Sequence, residues 1–184
     1  MKNTLQYIVI IIVLLIQTLI AKASDFNIDE ATKLQYSAPR SAIQLLLSTR
    51  ESFSLMDNEE FLTHQLLLFR LSKKVENIEL ANQTFQRISE RLSLIESYKP
   101  WIKVLSLSLL FYEQKYIEAD EVLQSIPVNA ISNKSDVFKM WFYFYSGALK
   151  VRQNLYEVAL EDINKANNLA INLDDKYIQM EVIS

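Results

Sequence analysis

The sequence predicts an all-α protein built of antiparallel helix pairs stacked in series. Three observations carry that expectation. The 184 residues include one glycine and three prolines, far below ordinary usage, so few positions can form the tight turns of a β fold. From residue 25 onward the apolar residues recur at helical spacing. Leu62, Leu66, Phe69 and Leu105, Leu109, Tyr112 each follow the i, i+4, i+7 rhythm of one helix face. Finally, a pattern of small and apolar residues returns about every 39 residues, which points to stacked units. An ordinary helical bundle, in which Ala-x-x-x-Leu spacings are simply core, is the alternative; a bundle has no need of that period.

Taken in order, the chain begins with Lys2 and the apolar run Tyr7–Ile16, followed by Ala21-Lys-Ala23. A positive charge, an apolar stretch and small residues at that spacing form the layout of a secretory signal peptide, residues 1–23, cleaved before Ser24. Gln17 and Thr18 interrupt the run, leaving it short of the roughly 20 apolar residues of a spanning helix; an uncleaved N-terminal anchor is the alternative. Removing residues 1–23 takes away Lys2 and Lys22 and moves the net charge from −3 to −5. The remainder, 24–184, is expected to be one helical repeat domain. Breaks at Ser37–Pro39, Ser54–Asn58, Lys73–Glu76, Ser97–Pro100, Glu113–Lys115, Pro127–Asp136, Gln153–Asn154 and Asp174–Asp175 divide it into helices of ordinary length.

The repeat is read by superposing segments. Tyr156, Ala159, Ile163 and Ala166 fall on Tyr116, Ala119, Leu123 and Ile126 at a shift of 40 residues. A further 38 reaches Ile78, Ala81, Phe85 and Ile88, and another 39 reaches Pro39, Ala42, Leu46 and Thr49. Alanine at 42, 81, 119 and 159 marks each copy. The two tryptophans, Trp101 and Trp141, also lie 40 apart, although they were not used to set the register.

This pattern resembles the tetratricopeptide repeat, a helix–turn–helix unit with small residues where its helices meet and an aromatic at the turn. Gly147, Tyr156, Ala159 and Ala166 match it in the last complete unit, about Met140–Leu173. The units upstream are fainter: Leu107 and Phe69 stand where Gly147 stands in the last one, and the first unit keeps little beyond Ala42. The resemblance implies a right-handed solenoid of about four units. Residues after Asp174-Asp175 read as the first helix of an incomplete fifth, continuing beyond Ser184. It also explains why the single glycine sits inside a helix, where it costs roughly 1 kcal/mol relative to alanine: it marks the close contact of a helix pair.

Composition narrows the chemistry. A net charge of −3 without basic blocks disfavours nucleic-acid binding. No cysteine means no disulfide framework and no thiolate metal site. His64 is the only histidine, so a zinc site would need carboxylates around it, and it is read as a helix residue with a hydrogen-bonded or solvated ring. Glu59-Glu60, Glu118/Asp120/Glu121 and Asp174-Asp175 are solvated faces or helix termini, because adjacent residues on a helix diverge by about 100°. One glycine cannot build a phosphate loop, and no nucleophile elbow occurs. Neither catalytic activity nor a cofactor is expected. Asn82-Gln-Thr84 and Asn133-Lys-Ser135 fit the glycosylation pattern, which matters only in a eukaryotic secretory pathway.

A binding surface remains. In the tetratricopeptide arrangement the first helices line a concave face, which implies groove positions at Trp141, Phe144, Ala148, Val151 and Arg152 in the last unit. The preceding unit contributes Trp101, Val104, Ser108, Phe111 and Tyr112, and the one before it Thr63, Leu66, Arg70, Lys73 and Lys74. Aromatic and arginine side chains dominate binding hot spots, so Trp101, Tyr112, Trp141, Phe144, Arg152 and Arg70 are the leading candidates. The alternative for the tryptophans is packing as core. With the export signal, the chain resembles the extracytoplasmic repeat region of bacterial membrane-bound signalling proteins such as diguanylate cyclases. That implies a periplasmic sensor or adaptor that takes a protein or peptide partner, or the sensory part of a larger enzyme whose catalytic domain is not in this sequence. Any membrane association would run through the N-terminal segment or a further C-terminal span.

Overall fold

The computed structural model describes residues 27–127, 131, 134–175 and 179, together with Gln6 and Ile11. All regular structure among the described residues is helical. A helical stretch at 27–34 precedes α1 (Pro39–Ser48), α2 (Asn58–Lys74), α3 (Ile78–Leu92) and α4 (Lys99–Tyr112). Then follow α5 (Tyr116–Gln124), α6 (Asp136–Arg152) and α7 (Tyr156–Asn172). The all-α expectation holds; α2, α4, α6 and α7 end at the breaks read from the sequence, whereas α1 and α3 end earlier, at Ser48 and Leu92, ahead of short 3-10 turns at Arg50–Ser52 and Glu96–Tyr98. Residues 1–23, expected from sequence to form an export signal, lie outside the described residues apart from Gln6 and Ile11, as does the helix expected after Asp175 apart from Gln179. Among the described residues no helix is long and apolar enough to cross a membrane.

The turns explain how neighbouring helices pair. Glu76, Gln114 and Asn154 each follow the C-cap of α2, α4 or α6 and adopt left-handed backbone, with φ of 59°, 59° and 60°. The next N–H reaches back into the helix: Asn77 N to Ser72 O at 2.8 Å, Lys115 N to Leu110 O at 2.9 Å, and Leu155 N to Lys150 O at 2.9 Å. These bonds satisfy carbonyls that a helix end leaves open. The same residue starts the following helix, since the carbonyls of Asn77, Lys115 and Leu155 accept from the N–H of Ala81, Ala119 and Ala159 at 3.1, 3.0 and 2.9 Å. So short a link forces the second helix back along the first. Asp174, with φ of 51°, repeats the geometry after α7, where Asp175 N bonds Ala170 O at 2.8 Å.

Residues Met1–Glu90 and Arg91–Ser184 form two compact lobes. In the first, α2 opens with a reciprocal cap. Asp57 Oδ1 accepts from the Glu59 and Glu60 N–H groups at 2.8 and 2.9 Å, and Glu60 Oε2 accepts from Asp57 N at 3.2 Å. Its last turn carries Lys73 and Lys74, favourable against the helix dipole. Ala42, Ile43 and Leu46 of α1 meet Leu67, Leu68 and Leu71 of α2 in a buried cluster with Ala31 and Leu80.

In the second lobe α6 and α7 form the closest pair. Their contacts run in opposite directions along the two helices: Tyr143 faces Lys165, Ser146 faces Asp162, and Gly147 lies against Ala159 and Ile163. Asp162 is buried, and its Oδ2 accepts from Ser146 Oγ at 2.6 Å and Lys150 Nζ at 2.5 Å. A buried carboxylate between two donors of one helix holds the register of the pair.

Candidate functional site

The residues proposed from sequence to line a groove fall in both lobes. Arg70 lies on α2 in the first lobe. Its guanidinium hydrogen-bonds Gln35 Oε1, which ties α2 to the segment ahead of α1. Lys74, one turn further, donates to Gln35 O at 3.1 Å and sits 4.7 Å from the centre of the Tyr36 ring. Desolvation, then the neighbouring Arg70 charge, lowers its pKa from the ordinary lysine value. Lys74 also borders a cavity of about 500 Å³ lined by Ala38, Pro39, Arg40, Ser41, Val75 and Glu76.

Trp101 and Trp141 sit in the core instead of lining a groove, with exposures of only 7% and 3%. Phe138 meets the Trp101 ring edge-on at 5.1 Å, and Tyr145 stands 5.9 Å from Trp141. Val104 and Ser108, on the same implied face, are fully buried. The physical reason is tertiary packing: α6 brings a run of aromatic residues against α4, and burying that apolar area outweighs presenting it to water. Phe144 is half-buried against Tyr145 at 5.1 Å, and Phe111 packs on Tyr145 and Tyr116 at 5.2 and 5.6 Å.

Tyr112 and Arg152 do reach the surface, as does Val151; Tyr112 is 54% exposed. Arg152 lies over the Tyr116 ring at 4.7 Å, a cation–π contact that brings the α4–α5 turn beside the α6–α7 turn. Around these turns Ile117, Leu155 and Tyr156 are also exposed. Tyr156 donates its hydroxyl to Asn154 Oδ1 at 2.8 Å, which fixes the ring next to the turn. Charge at this edge is mixed: Glu113 pairs with Lys115 at 2.7 Å and raises the Lys115 pKa above its ordinary value.

Ile117 and Leu155 were not among the sequence candidates. Their signal was a large apolar residue directly beside each turn, in Lys115-Tyr116-Ile117 and Asn154-Leu155-Tyr156, where a solvated turn calls for polar side chains. The small repeat positions are buried. Ala42, Ala81, Ala119 and Ala166 are fully inaccessible, Ala159 nearly so, and Gly147 lies inside the α6–α7 contact. Among the described residues no three His, Asp or Glu side chains converge as metal ligands. No family model matches the chain, and comparison with curated proteins and with solved structures finds no significant similarity. The class defined by the described helices is an all-α protein of neighbouring helix pairs.

Proposed function

We propose that the chain is a non-catalytic helical-repeat domain of the bacterial envelope, exported by its N-terminal segment, that captures a protein or peptide or senses one. In this reading the helix pairs stack as a right-handed, tetratricopeptide-like solenoid of about four units with an incomplete fifth. The matched turns at Glu76, Gln114 and Asn154, placed 38 and 40 residues apart, support the repeat. The function rests on one observation: the exposed Tyr112, Ile117, Val151, Leu155 and Tyr156 around the Arg152–Tyr116 contact. Aromatic, aliphatic and arginine groups held on short, hydrogen-bonded turns are a pre-ordered surface, so a partner there loses less of its binding energy to ordering. As a free-standing adaptor or as the sensory part of a signalling enzyme, the chain would do the same work.

The test is selection of peptides from a random phage-displayed library on the purified chain, followed by Kd measurement on an Ile117→Ser/Leu155→Ser variant. Selected peptides should bind the variant at least tenfold more weakly, a difference of about 1.4 kcal/mol. Equal affinity for both forms would remove this edge as the binding surface.

A further inference from the structure

His64 is the only histidine and is fully buried on α2, with the hydrogen-bonded ring that was one of the two settings expected for it. Its Nε2 lies 3.1 Å from Leu46 O and 2.8 Å from Thr49 Oγ1. On the other side, Gln65 Nε2 lies 3.1 Å from Nδ1. A carbonyl can only accept and an amide NH2 can only donate, so the neutral ring with its hydrogen on Nε2 satisfies both contacts. The Leu46 carbonyl belongs to the last turn of α1, where it also accepts from Thr49 Oγ1 at 2.7 Å and Thr49 N at 3.3 Å. His64 therefore stitches the end of α1, and the connection that follows it, onto α2. Phe53 of that connection packs edge-on against the imidazole at 4.8 Å.

Nothing in this setting welcomes a second proton. A proton on Nδ1 would face the Gln65 amide hydrogens. Turning the amide over would bury its NH2 where Oε1 now has no partner among the described residues. Charged side chains on the elements around the ring are Arg40 at the far end of α1, Arg50, Glu51 and Asp57 on the connection, Glu59, Glu60, Arg70, Lys73 and Lys74 on α2, and Glu79, Arg87, Glu90 and Arg91 on α3. Of these only the Arg87 guanidinium acts appreciably on the imidazole, and it repels a positive ring. The cheapest relief is outward movement of the connection. It is short, and Arg50, Glu51, Ser54 and Leu55 are exposed while Thr49, Ser52 and Met56 are buried; besides the Phe53 contacts with His64 and Phe61 it is held by local bonds such as Ser52 N to Thr49 O at 2.9 Å and Leu55 N to Ser52 O at 2.9 Å.

We propose that His64 is an acid-sensitive latch: neutral, it holds the segment Thr49–Met56 closed on α2, and protonation releases that segment ahead of the rest of its lobe. Burial, only partly offset by the bond to Leu46 and reinforced by Arg87, holds the pKa of the closed form down to about 4. In the released form the ring would titrate near 6.5, its ordinary value. Between those values, opening becomes about tenfold more frequent for each pH unit of acidification.

Native-state hydrogen exchange on the full chain, corrected for the intrinsic pH dependence of exchange, reads this directly. Between pH 6.5 and 4.5 the Ser52, Phe53 and Leu55 amides should lose about tenfold protection per pH unit. The Leu67, Leu68 and Leu71 amides of α2, which exchange only when the lobe unfolds, should stay more protected than these at every pH. In His64→Phe, which keeps a ring but cannot take a proton, protection at 52–55 should be flat with pH. Where that variant folds poorly, the NMR titration of the one imidazole in the unmodified chain decides. Protection at 52–55 that is independent of pH, protection there no lower than that of α2, or a closed-form imidazole titrating near 6.5 would each overturn the latch.

Discussion

Gly147 and Ile163 are in contact so close that no side chain fits between them: a Cβ on residue 147 would stand 2.7 Å from Ile163 Cγ1, 3.2 Å from Ala159 O and 3.3 Å from Ile163 N. Two of those three atoms are backbone, so α7 itself would have to move. Alanine at 147 gains roughly 1 kcal/mol of helix propensity, while overpacking costs roughly 1–3 kcal/mol. Gly147→Ala should therefore lower the unfolding free energy by about 1 kcal/mol, and Gly147→Val by about 3 kcal/mol. Urea denaturation checks both. Adding Ile163→Ala to Gly147→Ala should cost less than the two changes measured separately, because the first removes the atom that the second strikes.

That contact was legible in the sequence because glycine occurs once and inside a helical pattern, so only a close approach explains it. The helix boundaries at the tight turns were legible for a similar reason, since loss of periodicity coincides with polar runs such as Lys73–Glu76 and Glu113–Lys115, whereas the ends of α1 and α3 at Ser48 and Leu92 carry no such break. The fate of Trp101 was not. Its spacing says which helix face it occupies, but Phe138, 37 positions further along, decides whether that face meets water or another ring. His64 was legible as a helix residue with a hydrogen-bonded ring, but its partners Leu46 and Thr49 were not, because they are distant in sequence and carry no histidine-specific signal. The left-handed turn residues were hidden by chemistry: glycine announces such a position, whereas Glu76, Gln114, Asn154 and Asp174 share no side-chain type.

Those turns yield a second prediction. A non-glycine residue in left-handed backbone carries a strain of roughly 1–2 kcal/mol, less for asparagine, and glycine returns part of the gain through its larger unfolded-state entropy. Glu76→Gly and Gln114→Gly should each raise the unfolding free energy by about 1 kcal/mol. Asn154→Gly should gain nothing, because asparagine tolerates the conformation and its Oδ1 also holds the Tyr156 hydroxyl at 2.8 Å. Thermal or urea unfolding of the three single variants would show the ordering; equal gains at all three positions would contradict it.

Asp162 supplies a third. Its carboxylate is buried between Ser146 and Lys150, and the Lys150 side chain is 27% exposed. Asp162→Ala strands both donors, but Lys150 can turn toward water, which puts the cost at the lower end of the range for a broken buried pair, about 3 kcal/mol. Asp162→Asn keeps an acceptor for Ser146 and should cost about half as much. Pairing Asp162→Ala with Lys150→Met should recover part of the loss, since the uncompensated charge goes with the lysine. Chemical denaturation at neutral pH resolves the series.

The burial of His64 also sets a sign for acid stability. In the unfolded chain the ring titrates at 6.5, and in the folded lobe at about 4. Between these values the unfolded chain binds the extra proton, so acidification favours unfolding. The contribution is complete above pH 6.5 and is lost as the pH falls through about 4. Over that whole interval it amounts to roughly 3 kcal/mol, and about 2 kcal/mol of it falls between pH 7.5 and 5, before most carboxylates titrate. Urea midpoints of the first lobe, followed through Phe53 or another local probe, should drop over that narrower range in the unmodified chain and stay level in His64→Phe. A midpoint rising with acidification would mean that His64 gains a proton on folding, opposite in sign to the exchange behaviour of a buried neutral ring.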